Sequence, residues 1–209
     1  SGMSFYGCGA QNNNIGIGAY TLNKIDSADN NLAIGVNAGS NITTGGTNLL
    51  IGYEAGYSST TSSNTMSIGY QAGYSNLVDG GINIGTNAGY NNTTGTENIN
   101  IGYESGYYNQ DGDWNVQIGF QAGYKNQGTS YNNINIGYQA GYNIEASYTN
   151  VFIGYQSGYS FNASPGDNNG YNIGIGGLSL YSLKSGVYNI AIGVTAGQSI
   201  TTGVNNTLM

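Results

Sequence analysis

The sequence predicts an all-β chain, a repeat β-solenoid (β-roll) of about 17 residues per coil that runs through residues 1–209 as a single domain. Three observations predict it. An Ile-Gly pair recurs at near-constant spacing, apolar and polar residues alternate just before each pair, and the chain is rich in Gly and Tyr but almost free of charge.

The repeat comes first, because a fixed period of this length marks a stacked architecture. Ile-Gly recurs in register in eleven copies, at Ile17, Ile34, Ile51, Ile68, Ile84, Ile101, Ile118, Ile136, Ile153, Ile175 and Ile192. Successive spacings are 17, 17, 17, 16, 17, 17, 18, 17, 22 and 17. Asn stands three residues before Ile in nine copies, with Thr65 and Gly81 as the exceptions. A second Gly follows five residues after Ile, replaced by Leu22 and Leu180 in the first and tenth copies. Asn206 and Met209 fall in register for a twelfth copy, which predicts a fibre continuing past Met209.

Alternation supplies the strand. Ile99 and Ile101 share one face and Asn98 and Asn100 the other, and Val116/Ile118, Ile134/Ile136 and Ile190/Ile192 repeat the pattern. Period-two alternation reads as a half-buried strand, and the short period and Gly density exclude helix. The Gly after Ile suits a positive φ or a close backbone approach. The expected coil has two short strands and two turns, with the Ile/Val/Leu pair and the small Ala inside. Eleven coils at about 4.8 Å each would span on the order of 50 Å. Each Asn then lies over the next Asn and each Ile over the next Ile. So thin a core is hard to stabilise alone, and closed cyclic association is the usual remedy. The expectation is a parallel homotrimer about a common axis.

Composition narrows the function. Only 6% of residues are charged, the net charge is −7, and there is no His and no Arg. Low charge with many aromatics argues against disorder. Lys24, Lys125 and Lys184 are scattered, so no basic stripe exists to neutralise phosphates, and nucleic acid is excluded as a partner. No apolar run approaches the ~18 residues of a membrane span. No signal peptide opens the chain. Cys8 is alone, so its options are a buried thiol or an interchain bridge.

Tyrosine forms two columns. Tyr53, Tyr70, Tyr103, Tyr138 and Tyr155 follow Ile-Gly, with Phe120 in one copy. Tyr57, Tyr74, Tyr90, Tyr107, Tyr124, Tyr142 and Tyr159 follow the second Gly. Stacked rings that seal seams between subunits are the first reading, and an aromatic surface for sugars is the second.

Irregular positions in an array are where binding loops concentrate. Ser160 to Tyr171 carries five extra residues and the sole Pro, and should project as a loop. Tyr108 to Trp114 holds the sole Trp beside Asp111 and Asp113. Trp beside polar acceptors suits carbohydrate stacking, and Asp-Gly-Asp could chelate calcium, although a plain polar turn accounts for both. Lys125 to Tyr131 is a milder variation with one extra residue. The candidate receptor-binding residues are Tyr108, Asp111, Asp113, Trp114, Phe161, Pro165 and Asp167.

Much chemistry is missing. Without His there is no imidazole base, no Ser-His triad and no His-ligated metal. The ten carboxylates are dispersed, which leaves a glycan-degrading enzyme as a remote alternative. The G-x-G strings lack the strand–helix context of a phosphate loop. A calcium roll would need Asp in nearly every turn, and an ice-binding array would need Thr on successive coils. No catalytic group, cofactor or metal site is expected.

The segments Asn-Leu-Ala-Ile-Gly-Val-Asn-Ala-Gly from Asn31 and Asn-Ile-Ala-Ile-Gly-Val-Thr-Ala-Gly from Asn189 resemble the repeats of YadA-like trimeric autotransporter adhesin heads. Ile-Gly-Tyr-Gln-Ala-Gly-Tyr at Ile68 and Ile136 is similar to repeats of bacteriophage tail-fibre and related surface-fibre proteins. The resemblance covers essentially the whole chain. It implies a trimeric left-handed β-roll used for attachment, outside the cell or on a virion surface. The unit here is longer than in adhesin heads, and no family binding residues map onto the chain by motif. The expected function is a structural and adhesive fibre segment that meets a glycan or protein receptor. The alternative is a purely structural spacer that only self-assembles.

Overall fold

The computed structural model describes residues 3–4, 13–128, 130–162 and 169–209. It contains no helix among them. The strands are β1 (Met3–Ser4), β2 (Ile15–Ile17), β3 (Leu32–Ile34), β4 (Leu49–Ile51), β5 (Met66–Ile68), β6 (Ile82–Ile84), β7 (Ile99–Ile101) and β8 (Val116–Ile118). They continue as β9 (Ile134–Ile136), β10 (Val151–Ile153), β11 (Ile173–Ile175), β12 (Ser185–Val187), β13 (Ile190–Ile192), β14 (Thr202–Val204) and β15 (Thr207–Leu208). Strands β2 to β11, β13 and β15 form one parallel sheet in sequence order, and β1 pairs antiparallel with β2 at its edge. Equivalent repeat positions pair throughout, as in Ile82↔Ile99↔Val116. The chain is therefore a β-solenoid of stacked coils about 17 residues apart.

The coil Asn98 to Trp114 shows how the sequence makes the turn. Ile99 N–H donates to the Asn115 carbonyl at 2.8 Å, while Gly102 N–H donates to the Ile84 carbonyl at 2.7 Å. Each coil thus bonds both neighbours, and its backbone groups are satisfied along the axis. Gly102 has φ 134°, and a Cβ there would collide with the Gly119 carbonyl of the next coil. Close approach and positive φ together demand Gly. At Gly106 (φ 58°) a Cβ would strike the Asn100 and Gln117 side chains inside the coil.

Two expectations are corrected. Among the described residues most coils have one three-residue strand rather than two. Among the described residues a second strand pair exists only at β12–β14, with isolated bridges at Gln127↔Glu145 and Tyr131↔Tyr148↔Gly170↔Val187. Turn residues carry the rest of the coil. The second correction concerns parity. In β7 the middle residue Asn100 is fully buried, while Ile99 and Ile101 are only half-buried on the outer face. The same pattern holds from β3 to β10.

The asparagine three residues before Ile explains that parity. Its carboxamide is needed inside the wall. Asn115 N–H donates to Asn98 Oδ1 at 2.9 Å, and Asn115 Nδ2 donates to the Ser130 carbonyl at 2.9 Å. Alternation then puts positions 98 and 100 inside together and turns 99 and 101 outward. The core is therefore narrow and mixed. Leu22, Ala33, Ile42 and Leu50 form one apolar cluster, and Ile144, Phe152, Phe161, Leu180 and Leu183 form another. Between them the fill is polar: Ser67, Asn83, Asn100, Gln117 and Asn135 from the strands, opposite Asn76, Asn92, Asn109 and Asn126.

Candidate functional surface

Three surfaces follow from this frame. The first is the outer face of the parallel sheet. Two apolar columns run along it, one starting Ile15, Leu32, Leu49, Met66 and the other starting Ile17, Ile34, Ile51, Ile68. These side chains are half-buried to exposed, reaching 43% at Ile15 and 46% at Ile192. Monomers rarely leave contiguous apolar patches larger than a few hundred Å². Columns about 50 Å long and some 10 Å wide make a patch on the order of 500 Å².

The second surface is aromatic. Tyr57, Tyr74, Tyr90, Tyr107, Tyr124, Tyr142, Tyr159 and Tyr181 form one unbroken stack of eight rings, with centroids 4.9–5.5 Å apart. Tyr181 extends the predicted column although Leu180 replaces the glycine before it. A second column comprises Tyr53–Tyr70 at 5.2 Å and Tyr103–Phe120–Tyr138–Tyr155 at 5.0–5.2 Å. A third, which the repeat motif did not reveal, pairs Tyr131 with Tyr148 at 5.4 Å and Tyr171 with Tyr188 at 5.1 Å. Inside a stack each ring face is covered by its neighbour, so water meets ring edges and hydroxyls. Sugars stack on faces, and these ladders leave few faces free.

Burial raises the pKa of five rings of the long stack. It pushes Tyr124 up to about 12 and raises Tyr74, Tyr107, Tyr142 and Tyr159 in the same direction. Tyr53 and Tyr103 are raised first by side-chain hydrogen bonds with Glu54 and Glu104, then by the charge of those carboxylates. Glu54 and Glu104 belong to an outer ladder in the left-handed backbone region, at φ 54° and 51°. Side-chain amides bridge it: Gln71 Nε2 donates to Glu54 at 2.7 Å, Gln121 Nε2 to Glu104 at 2.8 Å, and Gln139 Nε2 to Gln121 at 2.8 Å. These bonds offset the cost of non-glycine residues at positive φ.

The structure scatters the candidate receptor residues. Trp114 is 52% exposed at φ 55°, and its Nε1 donates to Glu97 at 3.0 Å. Asp113 is occupied in the wall, accepting from Thr96 N–H at 2.7 Å and Thr96 Oγ1 at 3.0 Å. Asp111 is exposed on the neighbouring turn. Tyr108 is wedged edge-on against Tyr107 and Tyr124. Phe161 lies fully buried, tilted against Phe152 at 5.6 Å, and presents no surface to a receptor. Its position, eight residues after Ile153, is the inward position of every coil, which is why it packs inside. Pro165 and Asp167 lie outside the described residues, as does half of the expected loop. The insertion is bracketed between Asn162, whose N–H donates to the Lys184 carbonyl at 3.1 Å, and Asn169.

A third surface was not anticipated. Asn143, Ser160, Asn162 and Lys184 line an open polar notch of about 450 Å³. Its residues follow Tyr142, Tyr159 and the Tyr181 turn, so the notch borders the long stack. Sequence reading found the insertion but not the lysine one coil later. Among the described residues no three His, Cys, Asp or Glu side chains gather to hold a metal, and no helix is long and apolar enough to cross a membrane. No protein-family model, curated protein or solved structure matches the chain.

Proposed function

We propose that the chain is a structural and adhesive fibre segment, extracellular or on a virion or cell surface, that works as a parallel homotrimer. The apolar sheet faces turn toward the common axis, the tyrosine columns beside them seal the seams, and the remaining polar surface faces outward, where a glycan or protein receptor is met. The single observation that carries this reading is the outward orientation of the paired Ile columns. An aliphatic stripe running the length of a parallel sheet needs cover, since parallel sheets are normally packed on both faces. A second copy carries the same stripe with the same spacing. Cyclic packing would bury on the order of 500 Å² per chain from the stripe alone, and flanking aromatic columns extend it toward the ~800 Å² per partner of stable interfaces.

Light scattering tests the assembly. A chain of 21.7 kDa should run at three times that mass. Ile101→Lys with Ile118→Lys, which puts like charges in the stripe without touching the coil interior, should dissociate it to monomers. A wild-type chain that is monomeric at micromolar concentration would sink the trimer.

A second reading, a spacer with no receptor site of its own, is favoured by the ring faces being spent on one another. Glycan-array binding by the assembled chain separates the two. Signal lost on Trp114→Ala or Lys184→Gln, with the assembly intact, supports attachment. An array with no signal supports the spacer.

A further inference from the structure

The asparagine ladder has a gap, and the gap is shaped like a ligand site. Along the rest of the wall each Asn side-chain oxygen accepts the backbone N–H of the next coil: Asn14 from Asn31 at 2.9 Å, Asn98 from Asn115 at 2.9 Å, Asn115 from Asn133 at 3.0 Å. Thr65 keeps the lower part going, since its N–H and its hydroxyl both reach Asn48 Oδ1. Gly81 has no side chain, so the Asn98 N–H loses the acceptor that its equivalents have. The interruption coincides with the shortest coil, 16 residues from Ile68 to Ile84.

Nothing replaces the missing group. Gly81 is buried. A Cβ on it would meet Asn76 Nδ2 at 3.5 Å, Asn83 Nδ2 at 3.6 Å and the Asn98 carbonyl at 3.9 Å, all ordinary contacts. Both amide nitrogens lack a hydrogen-bond partner, although Asn76 and Asn83 are at most 1% exposed. Nor does the backbone require glycine, because Gly81 is not among the positive-φ positions.

We propose that this gap binds one internal water molecule, seated where the absent carboxamide oxygen would lie. The lining supplies donors from three sides, Asn98 N–H, Asn76 Nδ2 and Asn83 Nδ2, and the Asn98 carbonyl as an acceptor. Buried waters typically make about three hydrogen bonds to otherwise unsatisfied groups and need ~30 Å³, less than the carboxamide that stands in neighbouring coils. An anion also fits a donor-rich lining, but the chain is at −7 and its lysines at 24, 125 and 184 are all exposed. A bare charge among neutral groups is far costlier to bury than water.

The test is a high-resolution crystal structure grown in bromide, paired with thermal unfolding of Gly81→Asn and Gly81→Ala. Water predicts oxygen-like density within about 3 Å of Asn98 N and no anomalous bromine signal. Gly81→Asn restores the ladder oxygen, displaces the water, and should melt about 2–4 °C above Gly81→Ala, which adds a Cβ but no acceptor. An anomalous peak at the gap makes the ligand an anion and overturns the assignment. An empty gap, or Gly81→Asn melting no higher than Gly81→Ala, overturns it as well.

Discussion

Toward either end the coils are filled with hydrocarbon, and in the middle they are filled with carboxamides. Phe152, Phe161, Leu180 and Leu183 pack at one end, and Leu22, Ile42 and Leu50 at the other. Between them Asn83, Asn100, Gln117 and Asn135 occupy the strand position that Leu50 and Phe152 occupy elsewhere. The wall is the same in both regions. Parallel pairing continues through β6, β7 and β8 without a change of register pattern. Wall and filling are thus separable: the coil path is set by glycines and the inter-coil hydrogen bonds, and the interior accepts either chemistry at the right volume.

The two fillings differ in what they contribute. Apolar burial stabilises by about 25 cal/mol per Å². The central amides contribute little apolar area, and several of their atoms have no partner, including Asn100 Oδ1 and both polar atoms of Gln117 and of Asn135. Each such atom costs about 1–3 kcal/mol. The middle should be the region that opens most readily.

The largest effect is expected at the apolar end. Phe152→Ala removes a fully buried ring that packs on Phe161. It should cost about 3–5 kcal/mol in denaturant unfolding. Asn100→Ala, at the equivalent central position, should cost clearly less. Equal losses at the two positions would break the comparison.

A smaller effect sharpens it. Asn100 Nδ2 donates to Asn83 Oδ1 at 2.9 Å, a direct bond inside the central column. Asn100→Leu orphans that oxygen and should cost about 1–3 kcal/mol. Adding Asn83→Leu removes the orphan, so the double variant should regain much of the loss, a non-additivity of the kind that neighbouring sites show. Leu50 shows that the shape is tolerated, because its methyl groups lie over Gly39 and Gly56 much as Asn83 and Asn100 lie over Gly89 and Gly106. Strictly additive losses would mean that the central interior cannot accept hydrocarbon.

Much of this was legible in the sequence, and the misses share one cause. Period, coil length and the two tyrosine columns follow from the Ile-Gly spacing. Alternation was also legible, but alternation does not say which set faces inward. Ile was assigned to the interior by hydropathy, whereas the asparagine ladder needs its own parity inside. A second signal lies in the same sequence. In most coils the residue before Ile and the residue eight after that Ile match in polarity, as in Gly174 with Leu183, Ala191 with Ile200, Asn100 with Asn109 and Gln117 with Asn126, while Leu50 with Ser59 and Asn135 with Ile144 depart from it. Paired changes in size and polarity identify two columns facing each other across a narrow interior, and they would have placed Phe161 in the core. Lys184 could not be tied to Asn143 and Ser160 from spacing, because the insertion shifts the register between them.

The smallest expected effect lies on the tyrosine stack, which runs beside both regions. Folding raises Tyr124 from 10.0 to about 12, mainly by burial and then by the charge of Glu104. A tyrosine raised on folding keeps its proton longer in the folded state. Its contribution to stability is full below pH 10 and is lost as the pH climbs toward 12. Unfolding curves measured from pH 8 upward should therefore be flat to about pH 10 and then fall. Tyr124→Phe keeps the ring stacked on Tyr107 and Tyr142 and removes the titration. It should leave neutral-pH stability within about 0.5 kcal/mol and make the alkaline fall shallower. Tyr159→Phe, beside the apolar end, should flatten the fall less, because the shift there arises from burial and neighbouring tyrosines without a carboxylate. If the two variants flatten it equally, burial alone sets the acidity of the stack and the Glu104 charge contributes nothing.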